Sequence, residues 1–147
     1  MTPINKITPD HIAAFRAFGG SLDHYQQIAT QSAIYPGQGT PLGLAYVALK
    51  MNGEAGEFAE HVGKAMRDDD LISTGKTFSE EYDIHEFADL TPERRTLLIK
   101  EIGDVLWYLS AACNELGISL SEAAVTNLEK LLDRTTRDAL RGSGDNR

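Results

Sequence analysis

Two acid pairs hold the residues best suited to chemistry: Glu54-x-x-Glu57 inside "GEAGEFAEHVGK" and Glu101-x-x-Asp104 inside "KEIGDVLWYL". On a helix, residues three apart are neighbours one turn from each other. If both stretches are helices packed side by side, four carboxylates face one another. Like charges held that close repel, and a divalent cation relieves the repulsion. The side-chain ligands are all oxygens, with no cysteine in either stretch. That donor set favours Mg²⁺ or Mn²⁺ over zinc. Mg²⁺ usually retains waters and completes its shell with phosphate oxygens. The pattern therefore points to an acidic protein that meets a polyphosphate through bound metal.

The elements that must position these acids read as core helices. Met51, Ala55, Phe58 and Val62 form one apolar stripe, with Glu54 about 60° and Glu57 about 120° to one side of it. Lys50, His61 and Lys64 fall along the same flank, where His61 reads first as a surface histidine and second as a support for the acids. Glu60 lands opposite the stripe, as a solubilising residue. In the second stretch Leu98, Ile102, Val105, Leu109 and Leu116 form the stripe, with Glu101 about 40° and Asp104 about 100° to one side of Val105. Tyr108 falls between these two acids, one turn on, and Trp107 faces away, toward another helix or subunit. Gly53 and Gly56 weaken the first helix, and close approach of a helix or ligand is the expected return.

Start signals set the helix bounds. Thr8-Pro9, Thr40-Pro41 and Thr91-Pro92 each pair a capping hydroxyl with proline at the first helical position. Ser119 and Glu122 make a capping box, after a left-handed helix end at Gly117. Five helices are predicted, at about 9–18, 21–34, 41–68, 92–116 and 120–138. "YPGQGT", residues 35–40, is a turn. Residues 68–90 form a polar acidic loop, and residues 139–147 a polar tail. The whole chain, 1–147, is expected to be one all-α domain.

The totals agree with that expectation. With 147 residues, 41% hydrophobic and 24% charged, the chain can bury one core. A net charge of −8 argues against binding polymeric nucleic acid. A single cysteine, Cys113, suits a reducing cytoplasm. No apolar run approaches membrane-spanning length, so neither a membrane nor a leader is expected. A ferritin-like di-iron centre needs Glu-x-x-His on two helices. Here His61 follows Glu57 by four residues and no matching histidine follows Asp104.

The ordered blocks resemble the MazG-like all-α nucleoside triphosphate pyrophosphohydrolases, in particular small bacterial and phage members. "YQQIATQSAIYP" is similar to the segment before their first motif. "GEAGEFAEHVGKAMRDD" resembles the first motif, with Lys64 and Arg67. "EIGDVLWYLSAACNELGISLSEAAVTNLEKLLDR" resembles the second motif and the helix after it, with Asn127, Lys130 and Arg134. "GSGDNR" is similar to their tail.

The resemblance implies a four-helix-bundle-like core completed by oligomerisation, as a homodimer or homotetramer. It implies Mg²⁺-dependent cleavage of a (d)NTP between its α- and β-phosphates, giving (d)NMP and pyrophosphate. Glu54, Glu57, Glu101 and Asp104 are then the metal ligands and catalytic acids. Lys64, Arg67, Lys130 and Arg134 hold phosphates, Asn127 reads base or sugar, and Tyr108 lines the nucleotide pocket. The alternatives are an enzyme restricted to dUTP or dCTP, and a metal-dependent nucleotide-binding module without turnover. One departure is the 43 residues between Glu57 and Glu101, longer than the family's usual gap. The excess is the 68–90 loop: a lid, a subunit contact or a plain insertion.

Overall fold

The computed structural model describes Asp10, Ala13 and residues 20–69 and 90–136. Nearly all of the expected first helix, the body of the 68–90 loop and the 139–147 tail lie outside the described residues. The chain is all-α. Its described elements are α1 (Leu22–Ala29), a 3₁₀ turn at Thr30–Ser32, α2 (Pro41–Asp68), α3 (Pro92–Leu116) and α4 (Leu120–Thr136), with no strand among the described residues.

Local chemistry explains most of these boundaries. The Arg94 N–H donates to Thr91 Oγ1 at 3.2 Å, so Thr91 caps α3 ahead of Pro92. Ser119 caps α4 in the same way, accepting from the Glu122 N–H at 3.0 Å. Gly117, at φ 69°, ends α3. Its N–H reaches Asn114 O and the next N–H, of Ile118, reaches Cys113 O, the paired bonds of a Schellman end. Thr40 differs from expectation. Its hydroxyl donates to Gly37 O at 2.6 Å and closes the 37–40 turn, while its carbonyl accepts the α2 bond from Leu44. The helix expected over 21–34 is shorter, because a 3₁₀ turn follows Ala29 and Ala33 is extended.

The described residues fall into two compact units, one drawn from residues 1–47 and 109–147, the other from 48–108. In the first, Ala29, Val47, Ala111, Cys113 and Leu120 are buried. Gln26, also buried, joins three parts of this unit. Its Nε2 donates to Asn114 Oδ1 at 2.6 Å and to Ile118 O at 3.1 Å, and its Oε1 accepts from the Leu120 N–H at 2.7 Å. Beside it Asp23 accepts from the Ser121 N–H at 2.8 Å. That bond holds the Asp23 carboxyl below the usual carboxylate range. A depressed folded value contributes stability above the unfolded value, about 3.9, and the contribution is lost as pH falls through the folded value. The melting temperature should therefore drop on acidification below about pH 4, and Asp23→Asn should remove part of that drop in a pH series of thermal melts.

Glu115 ties the 35–40 turn to α3. Tyr35 donates its hydroxyl to Glu115 Oε1 at 2.6 Å, and Gly39 N–H donates to Oε2 at 2.8 Å. The Tyr35 and Tyr46 rings stack at 5.8 Å. Burial, then the bond to Glu115, pushes the Tyr35 phenol well above its ordinary value. Gly43 sits inside this arrangement. A Cβ there would strike Gly37 O and lie 2.8 Å from Glu115 Oε2. At Gly53 and Gly56 a Cβ would meet nothing within 4 Å among the described residues. Urea melts should accordingly show Gly43→Ala losing about 1–3 kcal/mol. Gly53→Ala and Gly56→Ala should each gain about 0.5–1 kcal/mol from helix propensity.

In the second unit Ala65 and Leu98 are buried. Two polar pairs fix its helices: His61 with Glu101, and Asp69 with Arg94. Moving forward along α2 from one pair to the other moves backward along α3, so these stretches run antiparallel. Arg94 grips both oxygens of Asp69, at 2.8 and 3.2 Å, and each side chain is less than a fifth exposed. The fork holds the chain just past the end of α2 against the first turn of α3.

Candidate functional site

Three of the four acids converge. Glu54 of α2 and Glu101 and Asp104 of α3 each bring one carboxylate oxygen to within 4.8 Å of the other two. The three differ in cover. Glu101 is 8% exposed, Glu54 is half-buried and Asp104 is exposed. Glu101 owes its burial to its place one turn after buried Leu98. The cluster therefore has a covered floor and an open mouth. Among the described residues, Lys50 of α2 pairs with the cluster, its Nζ 3.8 Å from Glu54 Oε1 on a half-exposed side chain. Such a pair contributes little. Three carboxylates of like charge, with one loose lysine among the described residues, have a donor set suited to a hard divalent cation.

Glu57 stands outside this group of three, and its side chain is exposed. The apolar stripes show why the wheel overstated its burial. On α2, Met51, Phe58 and Val62 are half-buried and Ala55 is exposed. On α3, Ile102, Leu109 and Leu116 are 55%, 40% and 59% exposed. Periodicity aligns side chains but does not say how much of a stripe the chain itself covers.

The expected phosphate ligands on α2 have acidic partners. Lys64 pairs with Glu60 at 2.6 Å, and that bond lowers the Glu60 carboxyl. Arg67 donates through Nε and Nη2 to the two oxygens of Asp68. Tyr108 is half-buried, with the Trp107 ring edge-on at 4.8 Å. Asn127, Lys130 and Arg134 lie on α4, in the other unit, the first two exposed and Arg134 half-buried.

Two features have weak sequence signals. Asp69 sits in the run Asp68-Asp69-Asp70, where nothing singles it out as the partner of Arg94. His61 has only its spacing on the acids' flank. Its side chain is 21% exposed, with Nε2 3.7 Å from Glu101 Oε1, rather than the surface histidine first expected.

Residues 45–137 match the MazG nucleotide pyrophosphohydrolase domain. The chain belongs to the MazG family. This MazG chain is also similar to the Gene 37 protein of Mycobacterium phage L5, at 40% identity over 129 residues, covering 86% of this chain and 98% of that relative. No solved structure matches it. The MazG match takes in all four acids together with Asn127, Lys130 and Arg134, and it begins after the Tyr25–Pro36 segment. Among the described residues no helix is long and apolar enough to cross a membrane.

Proposed function

We propose that this MazG chain is a Mg²⁺-dependent nucleoside triphosphate pyrophosphohydrolase, cleaving a (d)NTP between the α- and β-phosphates and so controlling a nucleotide pool. The observation that carries the reading is the convergence of Glu54, Glu101 and Asp104 inside the family match. These three residues would hold the metal, with Glu57 as a fourth acid from the open side. Bound there, Mg²⁺ or Mn²⁺ would neutralise phosphate charge and make water a better nucleophile. A carboxylate of the same set accepts the proton released by the attacking water. The bridging P–O bond breaks, and the products are (d)NMP and pyrophosphate.

The remaining roles serve positioning and charge, which dominate phosphoryl-transfer barriers. Lys64 and Arg67 would exchange Glu60 and Asp68 for phosphate oxygens. Lys130 and Arg134 would add charge from α4, with Asn127 reading base or sugar and Tyr108 lining the pocket. A homodimer or homotetramer would cover apolar side chains such as Leu49, Ile102, Leu128 and Leu132, all more than half exposed. The thiol of Cys113, buried and pushed up by that burial, suits a cytoplasmic setting.

The test is a panel of NTPs and dNTPs with Mg²⁺, scored by pyrophosphate release. Release that stops with chelator and returns with Mg²⁺ is the expected result, and its breadth separates a general enzyme from one restricted to dUTP or dCTP. Nucleotide binding without release would favour a binding module. Light scattering should give a mass of at least two chains, and a monomer at working concentration would remove the oligomer from the proposal.

A further inference from the structure

The proposed chemistry leaves the placement of His61, beside one of the converging acids, unexplained. This histidine lies on α2, one turn beyond Glu57, with its Nε2 turned to Glu101 Oε1 at 3.7 Å. Its Nδ1 is buried and has no hydrogen-bond partner among the described residues. A neutral imidazole carries its proton on one nitrogen only. On Nδ1 that proton would be a buried donor with no acceptor, which costs about 1–3 kcal/mol. On Nε2 it faces a carboxylate. The surroundings therefore select the Nε2–H form, aimed at Glu101.

At 3.7 Å the contact is longer than a hydrogen bond. The terminal torsion of a glutamate is soft, and a modest turn of the carboxylate closes the gap. His61 is outside the group of three acids whose oxygens converge, so it supports that group rather than joining it. Carboxylates that bind metals are themselves usually held by hydrogen bonds, and losing such a support typically weakens metal binding about 10–100-fold.

We propose that His61 is a positioning residue: its Nε2–H holds Glu101 Oε1 and so aims the other Glu101 oxygen at the divalent cation. The proposal rests on the metal reading of Glu54, Glu101 and Asp104. Its test uses Mn²⁺ alone as the probe, with the full chain and no nucleotide, and affinity read by paramagnetic resonance or calorimetry. Three variants separate hydrogen bonding from bulk. His61→Gln places an amide N–H near the position of Nε2, His61→Asn places one near Nδ1, and His61→Phe keeps a ring with no donor.

The expected result is a Mn²⁺ Kd within a few-fold of the parent for His61→Gln, and about 10–100-fold weaker for His61→Asn and His61→Phe. Metal-free melting curves identify any variant that fails to fold, and His61→Asn against His61→Gln then still decides the matter: equal affinity in the two would overturn the proposal. Parent-like affinity in a folded His61→Phe, or a His61→Gln as weak as His61→Phe, would overturn the proposal. Glu54→Gln serves as the control. If it binds Mn²⁺ as the parent does, the metal reading falls and takes this proposal with it. If Glu54→Gln is weakened while His61→Phe is not, only the proposal falls.

Discussion

Replacing Glu101 with glutamine should cut pyrophosphate release by about three orders of magnitude, the loss of several kcal/mol of charge stabilisation. The same variant should melt higher than the parent when no metal is present. Glu101 is the most buried of the three converging acids, and its charge sits beside two others. Without a cation this is a repulsive arrangement, and the uncharged amide relieves it. A gain of about 1–2 kcal/mol is expected, or a few degrees for a chain of this size. Chelator-treated melts and a pyrophosphate assay on one preparation measure both effects. A variant that lost activity but melted lower would mean that Glu101 holds the fold together and is not strained against its neighbours. Glu57→Gln separates the acids further. Glu57 is exposed, so its metal-free melt should match the parent, while activity falls if it reaches the cation.

The second large effect belongs to the other unit. Gln26→Leu keeps the bulk but removes three hydrogen bonds at a buried position. The Leu120 N–H, the Ile118 carbonyl and the Asn114 amide each lose a partner there. Leaving buried polar groups unsatisfied costs about 1–3 kcal/mol apiece, and partial access to water reduces the sum to about 2–4 kcal/mol. At about 2–4 °C per kcal/mol, the melting temperature should fall by roughly 4–16 °C. Gln26→Glu gives a sharper reading. It keeps the acceptor for Leu120 but sets a buried carboxylate oxygen against the acceptors Asn114 Oδ1 and Ile118 O, so at neutral pH it should melt no higher than the leucine variant. If Gln26→Leu melted with the parent, the joint between α1 and the start of α4 would carry no stability.

What was legible in the sequence follows from how local each signal is. The bounds of α2 and α3 are as expected, residues 41–68 and 92–116, because proline and its neighbours fix a helix start within a few residues. The end at Gly117 was legible for the same reason. The acid pairs were legible because spacing on a helix is arithmetic, and Glu54, Glu101 and Asp104 do converge. The partners of Gln26 were not legible, since Asn114, Ile118 and Leu120 are about ninety residues away and a glutamine has no preferred partner. Glu115 was hidden similarly, its ligands being a tyrosine and a backbone N–H of a turn. Burial was the least legible. The α3 stripe of Leu98, Ile102, Val105, Leu109 and Leu116 is continuous on the wheel, yet only Leu98 of the five is buried.

Trp107, the only tryptophan in the chain, lies one turn from Asp104 and touches the Tyr108 ring. Its position makes it an optical reporter built into α3. Indole emission responds to nearby charge and to solvent, so a cation added to the protein should, if it settles among the acids, change the fluorescence without any label. A stopped-flow mixer would then time the arrival of added Mn²⁺ or Mg²⁺ directly.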